Sequence, residues 1–312
     1  MSLPKKLLAA ALATLTLTAC DAERPPAPQV AVIPSKTSPL PMPTLGGARD
    51  AGAPFTVVPK PAVEVDPLVL AHDAPGVDHL GRARRLAGDG DVKGALAEAR
   101  RALYSTPADV EALTTVAKLA RRAGQPELAA LAWGRVAAQR PEDATPLIQQ
   151  ARALLAQKDF AGAAMAGRDA STRDPGNAEA FQVTGLAQLS MKELGGAIAS
   201  FERAVALAPR HGWALNNLGL ACLRANQNER AAEVLERAAA ELPHVAFVHN
   251  NLGIALERLG RVDESKAAYQ RAMDLSPKYV KARLNAARVA KAPVESQLDD
   301  VVGPDAHPLP EE

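Results

Sequence analysis

Aromatic side chains are scarce, 3% of the 312 residues against 47% apolar residues overall, so the core has to be built from alanine and leucine. Small side chains of this kind suit closely approaching helices. Cysteine is nearly absent: Cys20 and Cys222 are the whole supply. If Cys20 is consumed by modification, one thiol remains and no internal disulfide can form. The formal charge of +1 offers no global field for nucleic acid or anionic membranes. The most apolar run, Leu7 to Leu17, is too short to span a bilayer. A glycine-rich phosphate loop, paired zinc-type cysteines and a nucleophile motif are also lacking. His244 and His249 lie five apart across a turn, a poor spacing for one metal, so these and His79 and His211 read as structural or surface residues. The expectation is a chain with no catalytic residue, metal, cofactor or small-molecule substrate.

Lys5 and Lys6 precede the apolar run, and Thr18-Ala19 stand before Cys20, which reads as a secretory signal over residues 1–19. Leu17-Thr18-Ala19-Cys20 resembles the lipobox of bacterial lipoproteins, which implies a diacylglycerol-bearing Cys20 as the first residue of the mature chain. Two or three acyl chains hold a protein stably on a membrane, each buried methylene contributing about 0.8 kcal/mol. The alternative is an ordinary signal and a secreted product. Residues 20–75 read as a linker: from residue 21 on they hold twelve of the chain's 25 prolines, so no helix propagates there. The more apolar stretches Phe55 to Val58 and Val63 to Leu70 offer docking segments, although a mobile linker is the expectation. Residues 292–312 carry four prolines and six acids (Glu295, Asp299, Asp300, Asp305, Glu311, Glu312) and read as a disordered tail.

Between these lies a strict period. Pro107, Pro141, Pro175, Pro209, Pro243 and Pro277 recur every 34 residues. At the eighth position of each unit stand Ala83, Ala117, Ala151, Gly185, Gly219 and Gly253, and at the twentieth Ala95, Ala129, Ala163, Ala197, Ala231 and Ser265. This resembles the tetratricopeptide repeat, in which small residues at those positions let two antiparallel helices touch. The twenty-fourth position is often large (Trp133, Phe201, Leu235, Tyr269), while Ala99 and Gly167 predict looser packing. The resemblance implies an all-α, right-handed superhelical solenoid: six helix hairpins at 76–109, 110–143, 144–177, 178–211, 212–245 and 246–279, then a capping helix from Val280 to about Lys291. Gly90, Gly124 and Gly260 share one turn position between helices, suited to a left-handed backbone.

The resemblance also implies that the first helix of each unit lines a concave groove. Asn217, Asn251 and Asn285 share the sixth position, with Asn216 and Asn250 beside them. A carboxamide donates and accepts, so such a column suits the backbone of an extended peptide. It resembles the asparagine ladder of protein O-GlcNAc transferase; the alternative is local bonding between helices. Trp213, Phe247 and Lys281 form the second-position column, expected at the groove edge as peptide anchors, unless the rings fold over a neighbouring helix. The ninth position changes from Arg84, Lys118 and Arg152 to Leu186, Leu220 and Ile254. With Arg85, Arg121 and Arg122 this makes one half of the groove basic, suited to an acidic segment or polyanion, or merely solubilising. The carboxylate clamp of chaperone-cofactor repeats is incomplete, since Asn216 and Leu220 stand where its lysine and asparagine belong. Cys222, at the eleventh position of unit five and so expected inside the hairpin, reads as a small core residue.

These readings combine into a lipid-anchored scaffold of the bacterial cell envelope, at the outer rather than the inner membrane and facing the periplasm, whose partner is a protein or peptide and not nucleic acid. Lipidation and repeat number resemble the six-repeat pilotin-type lipoproteins that assist assembly of a type IV pilus secretin. An adaptor for peptidoglycan hydrolases and an accessory subunit of an envelope enzyme or exopolysaccharide export system are the alternatives.

Overall fold

A computed structural model describes residues 65–71 and 76–291. The expected signal, Cys20, most of the linker and the acidic tail lie outside the described residues. Among the described residues every regular element is helical: α1 (His79–Gly88), α2 (Val92–Ser105), α3 (Val110–Arg122), α4 (Pro126–Gln139), α5 (Thr145–Ala156), α6 (Phe160–Arg173), α7 (Ala178–Ser190), α8 (Leu194–Leu207), α9 (Gly212–Arg224), α10 (Asn228–Glu241), α11 (Ala246–Arg258), α12 (Val262–Leu275) and α13 (Val280–Lys291). The all-α hairpin array expected from the 34-residue period is what forms.

Helix starts are written locally. Asp78, Asp91, Asp109 and Asp159 accept hydrogen bonds from backbone N–H groups of the first turns of α1, α2, α3 and α6, and Pro126 and Pro146 sit in first turns where an N–H would go unpaired. Between the two helices of each unit the backbone turns left-handed at one fixed position. Gly90, Gly124 and Gly260 hold it at φ 84°, 69° and 73°, while Lys158, Lys192 and Asn226 hold the same turn at φ 65°, 63° and 57°. The lysines bear a Cβ clash that glycine avoids.

Inside each later hairpin the eighth position leaves no room for a side chain. A Cβ on Gly185 would lie 2.7 Å from Phe201, on Gly219 2.4 Å from Leu235, and on Gly253 2.5 Å from Tyr269. The twenty-fourth-position ring or leucine thus fills the space opposite the missing side chain, and Phe201, Leu235 and Tyr269 are fully buried. Unit-to-unit contacts are partly polar. Arg173 Nη1 donates to the carbonyls of Ala137 (3.0 Å), Arg140 (3.0 Å) and Asp143 (3.1 Å), covering the end of α4, and Arg258 Nη1 donates to Leu223 O at 2.7 Å. His79 Nδ1 meets Glu98 Oε2 at 2.7 Å, which ties α1 to α2.

Each helix packs on its sequence neighbours. First helices also touch first helices, from α5 through α7, α9 and α11 to α13, with no comparable contact among second helices of the described residues. The array therefore curves with the first helices on its inner side.

One stretch of the expected linker behaves otherwise. Residues 65–71 lie on α2 and α4: Leu68 is fully buried in the cluster that holds Ala99, Leu103 and Trp133. Leu70 N donates to Arg100 O at 3.2 Å, Arg100 Nη2 donates to Pro67 O at 2.7 Å, and Arg135 Nη1 donates to Asp66 Oδ2 at 2.7 Å. The first unit carries only Ala99 at its twenty-fourth position, and Leu68 supplies apolar volume to the same cluster. Of the two expectations for Val63 to Leu70, docking is the one that the described residues 65–70 take.

Candidate functional site

The first helices of the last two units and the final helix carry the sixth-position column. Asn217, Asn251 and Asn285 lie on α9, α11 and α13, each one turn beyond Trp213, Phe247 and Lys281, so both columns share a helix face. Trp213 and Phe247 stack on each other across the units, centroids 5.5 Å apart and planes 23° apart. Both rings are half-buried.

The amides do more for one another than an open ladder would. Asn251 Nδ2 donates to Asn216 Oδ1 at 3.0 Å, and Asn285 Nδ2 donates to Asn250 Oδ1 at 3.0 Å. The repeating rule is that the sixth-position amide of one unit binds the fifth-position amide of the unit before it. All five asparagines are buried, Asn251 being the most exposed at 2%. Of the two roles the sequence allows, bonding between helices is the one these hydrogen bonds serve, because stacked first helices bring positions five and six of successive units face to face. Arg288 Nη2 donates to Asn285 Oδ1 at 3.3 Å at the end of the series.

At the other end the series stops. By the same register Asn217 on α9 faces the fifth position of unit four, which is Gln182 on α7. Asn217 Nδ2 and Gln182 Nε2 are both buried and have no hydrogen-bond acceptor. Asn217 Oδ1 accepts a long 3.3 Å bond from Asn216 Nδ2. Two N–H donors thus lie buried and unused at the α7–α9 junction, where the next amide pair would have formed. Each such donor costs about 1–3 kcal/mol unless something accepts from it. The sixth position of unit four is Val183, where the asparagine column ends; the 35-residue spacing from Gln182 to Asn217, repeated in Asn216 to Asn251, is the signal that finds Gln182.

The basic half is a second region. A cleft of about 1120 Å³ opens on units one to three and reaches α7 of unit four, lined by Arg84, Lys118, Arg121, Arg122 and Arg152 together with Arg140 and Asp143 among others. Its charge is less uniform than the ninth-position column implies. Arg84 pairs with Glu111, and Arg152 Nη2 with Glu179 Oε2 at 2.9 Å. In both pairs a ninth-position cation meets the second-position acid of the next unit, 27 residues on. Unit three has Thr145 at that second position, so Lys118 receives no carboxylate. Arg85 lies on α1 in the last turn.

Cys222 is fully buried among apolar neighbours, and that desolvation pushes its thiol up to about 11, which keeps it protonated. His249 Nε2 lies 3.1 Å from Pro243 O; its pKa is lowered, first by burial. No group of three or more His, Cys, Asp or Glu side chains among the described residues is arranged to hold a metal ion. No helix among the described residues is long and apolar enough to cross a membrane.

Comparison with known proteins places this geometry. No curated protein sequence matches the chain. Among solved structures it is similar to PilW, described as a widely conserved type IV pilus biogenesis factor, at 16% identity and TM-score 0.56 over 66% of this chain and 96% of that one. It is similar to Pseudomonas aeruginosa pilF at 20% identity and TM-score 0.55, over 67% of this chain and 95% of that one. It is also similar to a chain of the APC/C hetero-tetramer Cut9–Hcn1, at 14% identity and TM-score 0.55, over 68% of this chain and 42% of that one. At such identities the likeness is one of fold, shared by proteins of different description. Tetratricopeptide-repeat family models match residues 114–178, 183–246 and 246–279, and the chain belongs to the tetratricopeptide repeat family, a protein-interaction scaffold.

Proposed function

We propose that the protein is an envelope adaptor, lipid-anchored through Cys20, that grips an extended segment of a partner protein along the inner face of units four to six. The observation that carries this reading is the half-buried Trp213–Phe247 stack, with the acceptor-less donors Asn217 Nδ2 and Gln182 Nε2 buried at the α7–α9 junction, where a partner reaches them only as that junction opens. A peptide carbonyl or carboxylate accepts from such donors whatever its side chains, and stacked rings give a flat apolar anchor next to them. The amide pairs at Asn216–Asn251 and Asn250–Asn285 hold the rest of the face in one arrangement, which lowers the ordering cost of binding. Lys281 extends the anchor column to α13.

The partner we propose is a type IV pilus secretin during its assembly in the outer membrane. The support is the lipobox-like Leu17-Thr18-Ala19-Cys20, the six units, and a fold shared with PilW and pilF. Titration of the mature chain against the purified secretin of the same cell tests it: Trp213→Ala and Asn217→Ala should each weaken binding at least tenfold with helicity unchanged. Absence of binding, or affinity unchanged from the parent chain in both variants, overturns the assignment. Cys20→Ser should move the protein from the membrane fraction to the supernatant, and retention on membranes would overturn the anchor.

A further inference from the structure

The cleft of units one to three carries a combination that the peptide face of units four to six lacks: unneutralised cations beside a ring-lined floor. Lys118, Arg121 and Arg122 lie in the last two turns of α3, all exposed, and no carboxylate pairs with them among the described residues. Arg84 and Arg152, on either side, have their charges met by Glu111 and Glu179. The excess positive charge is therefore a compact cluster on one helix end. Trp133, Leu155 and Phe160 line the same cleft.

We infer that this cleft binds an acidic extended segment of a partner protein, its carboxylates on Lys118, Arg121 and Arg122 and a large apolar side chain against Phe160, Trp133 and Leu155. The charge cluster selects the sign of the ligand. A polyanion such as a nucleic acid or sulfated polysaccharide needs a continuous basic stripe, and the pairing of Arg84 and Arg152 breaks one here. A cleft of about 1120 Å³ with apolar walls suits side chains that enter it, which a peptide has and a bare polyanion does not. Charged contacts of this kind set the encounter rate and the salt dependence, and the apolar contact sets the lifetime.

The test uses the full mature chain and a fluorescein-labelled short peptide alternating aspartate and glutamate with leucine and phenylalanine. Polyglutamate, heparin and the same peptide with lysine for each acid serve as comparisons. The acidic-apolar peptide should bind, with affinity falling steeply as salt rises. Lys118→Ala/Arg121→Gln/Arg122→Gln should lower its affinity at least tenfold, and Phe160→Ala should lower it severalfold without changing salt dependence; both leave the circular dichroism spectrum as it was. Trp213→Ala should leave this binding unchanged, which separates its failure from failure of the peptide face in units four to six. Heparin or polyglutamate binding as tightly as the peptide, or indifference to the triple variant, overturns the inference. So does peptide binding that appears only after residues 292–312 are removed, since the occupant is then the chain's own acidic tail.

Discussion

Truncating the sixth-position asparagines one at a time should separate amides that hold units together from the amide left over for a ligand. Asn251→Ala removes the donor to Asn216 Oδ1, a 3.0 Å bond between fully packed helices, and leaves that oxygen buried without a partner. Leaving a buried acceptor unpaired costs about 1–3 kcal/mol, and nothing in the neighbourhood is relieved in return. Asn217→Ala differs in kind. It deprives Asn216 Nδ2 of its 3.3 Å acceptor, which creates one orphan, and deletes Asn217 Nδ2, which removes another. The two nearly cancel, so the expected change is within about 0.5 kcal/mol. Urea unfolding followed at 222 nm gives both values, with hydrogen exchange of α9 and α11 amides locating the loss, since repeat arrays need not unfold in one step. A double-mutant cycle of Asn216→Ala with Asn251→Ala should show coupling of about 0.5–1.5 kcal/mol. If Asn217→Ala proves as costly as Asn251→Ala, or if the coupling vanishes, the distinction between stacking amides and a vacant donor is refuted.

Lys192→Gly should stabilise the chain by up to about 1 kcal/mol in urea unfolding, because φ at 63° strains a residue bearing a Cβ; a loss would mean the lysine side chain does something the turn requires. Gly219→Ala places a Cβ 2.4 Å from Leu235 Cγ and should cost about 1–3 kcal/mol, recovered in part by Leu235→Val; the measurement is thermal unfolding of the two variants together and apart. The hydrogen bond from Arg135 holds the Asp66 carboxyl below its usual range, so docking of residues 65–71 is complete above the ordinary aspartate pKa near ~3.9 and is lost as pH falls through the lowered folded value. Exchange of the Leu70 amide, corrected for intrinsic rate, should rise over that acid window and in Asp66→Asn at neutral pH, while α7 amides stay protected; equal protection throughout would refute the role of Asp66 in docking residues 65–71. Cys222 should resist a thiol reagent at pH 8 in the folded protein and react fully in denaturant, and rapid reaction of the native form would contradict its burial and its pKa of about 11.

The 34-residue recurrence of proline and of small residues, through its resemblance to the tetratricopeptide repeat, was enough to write twelve helices in hairpin pairs and the final helix from Val280, because those features depend on nearest neighbours in a linear array. Even the left-handed turns could be read at Gly90, Gly124 and Gly260, where the residue type announces the backbone. Lys158 and Lys192 make the same turn under neighbouring helices and carry no such announcement. What only the tertiary structure decided was which polar groups meet. A column of asparagines looks the same in sequence whether it faces a guest or the next helix, and the 35-residue offset from position six to position five becomes a hydrogen bond only once first helices stack. The same stacking neutralises Arg84 and Arg152 but not Lys118, and brings Leu68 from a proline-rich stretch onto α2. Each outcome depends on distances between separate units, which a repeat period does not contain.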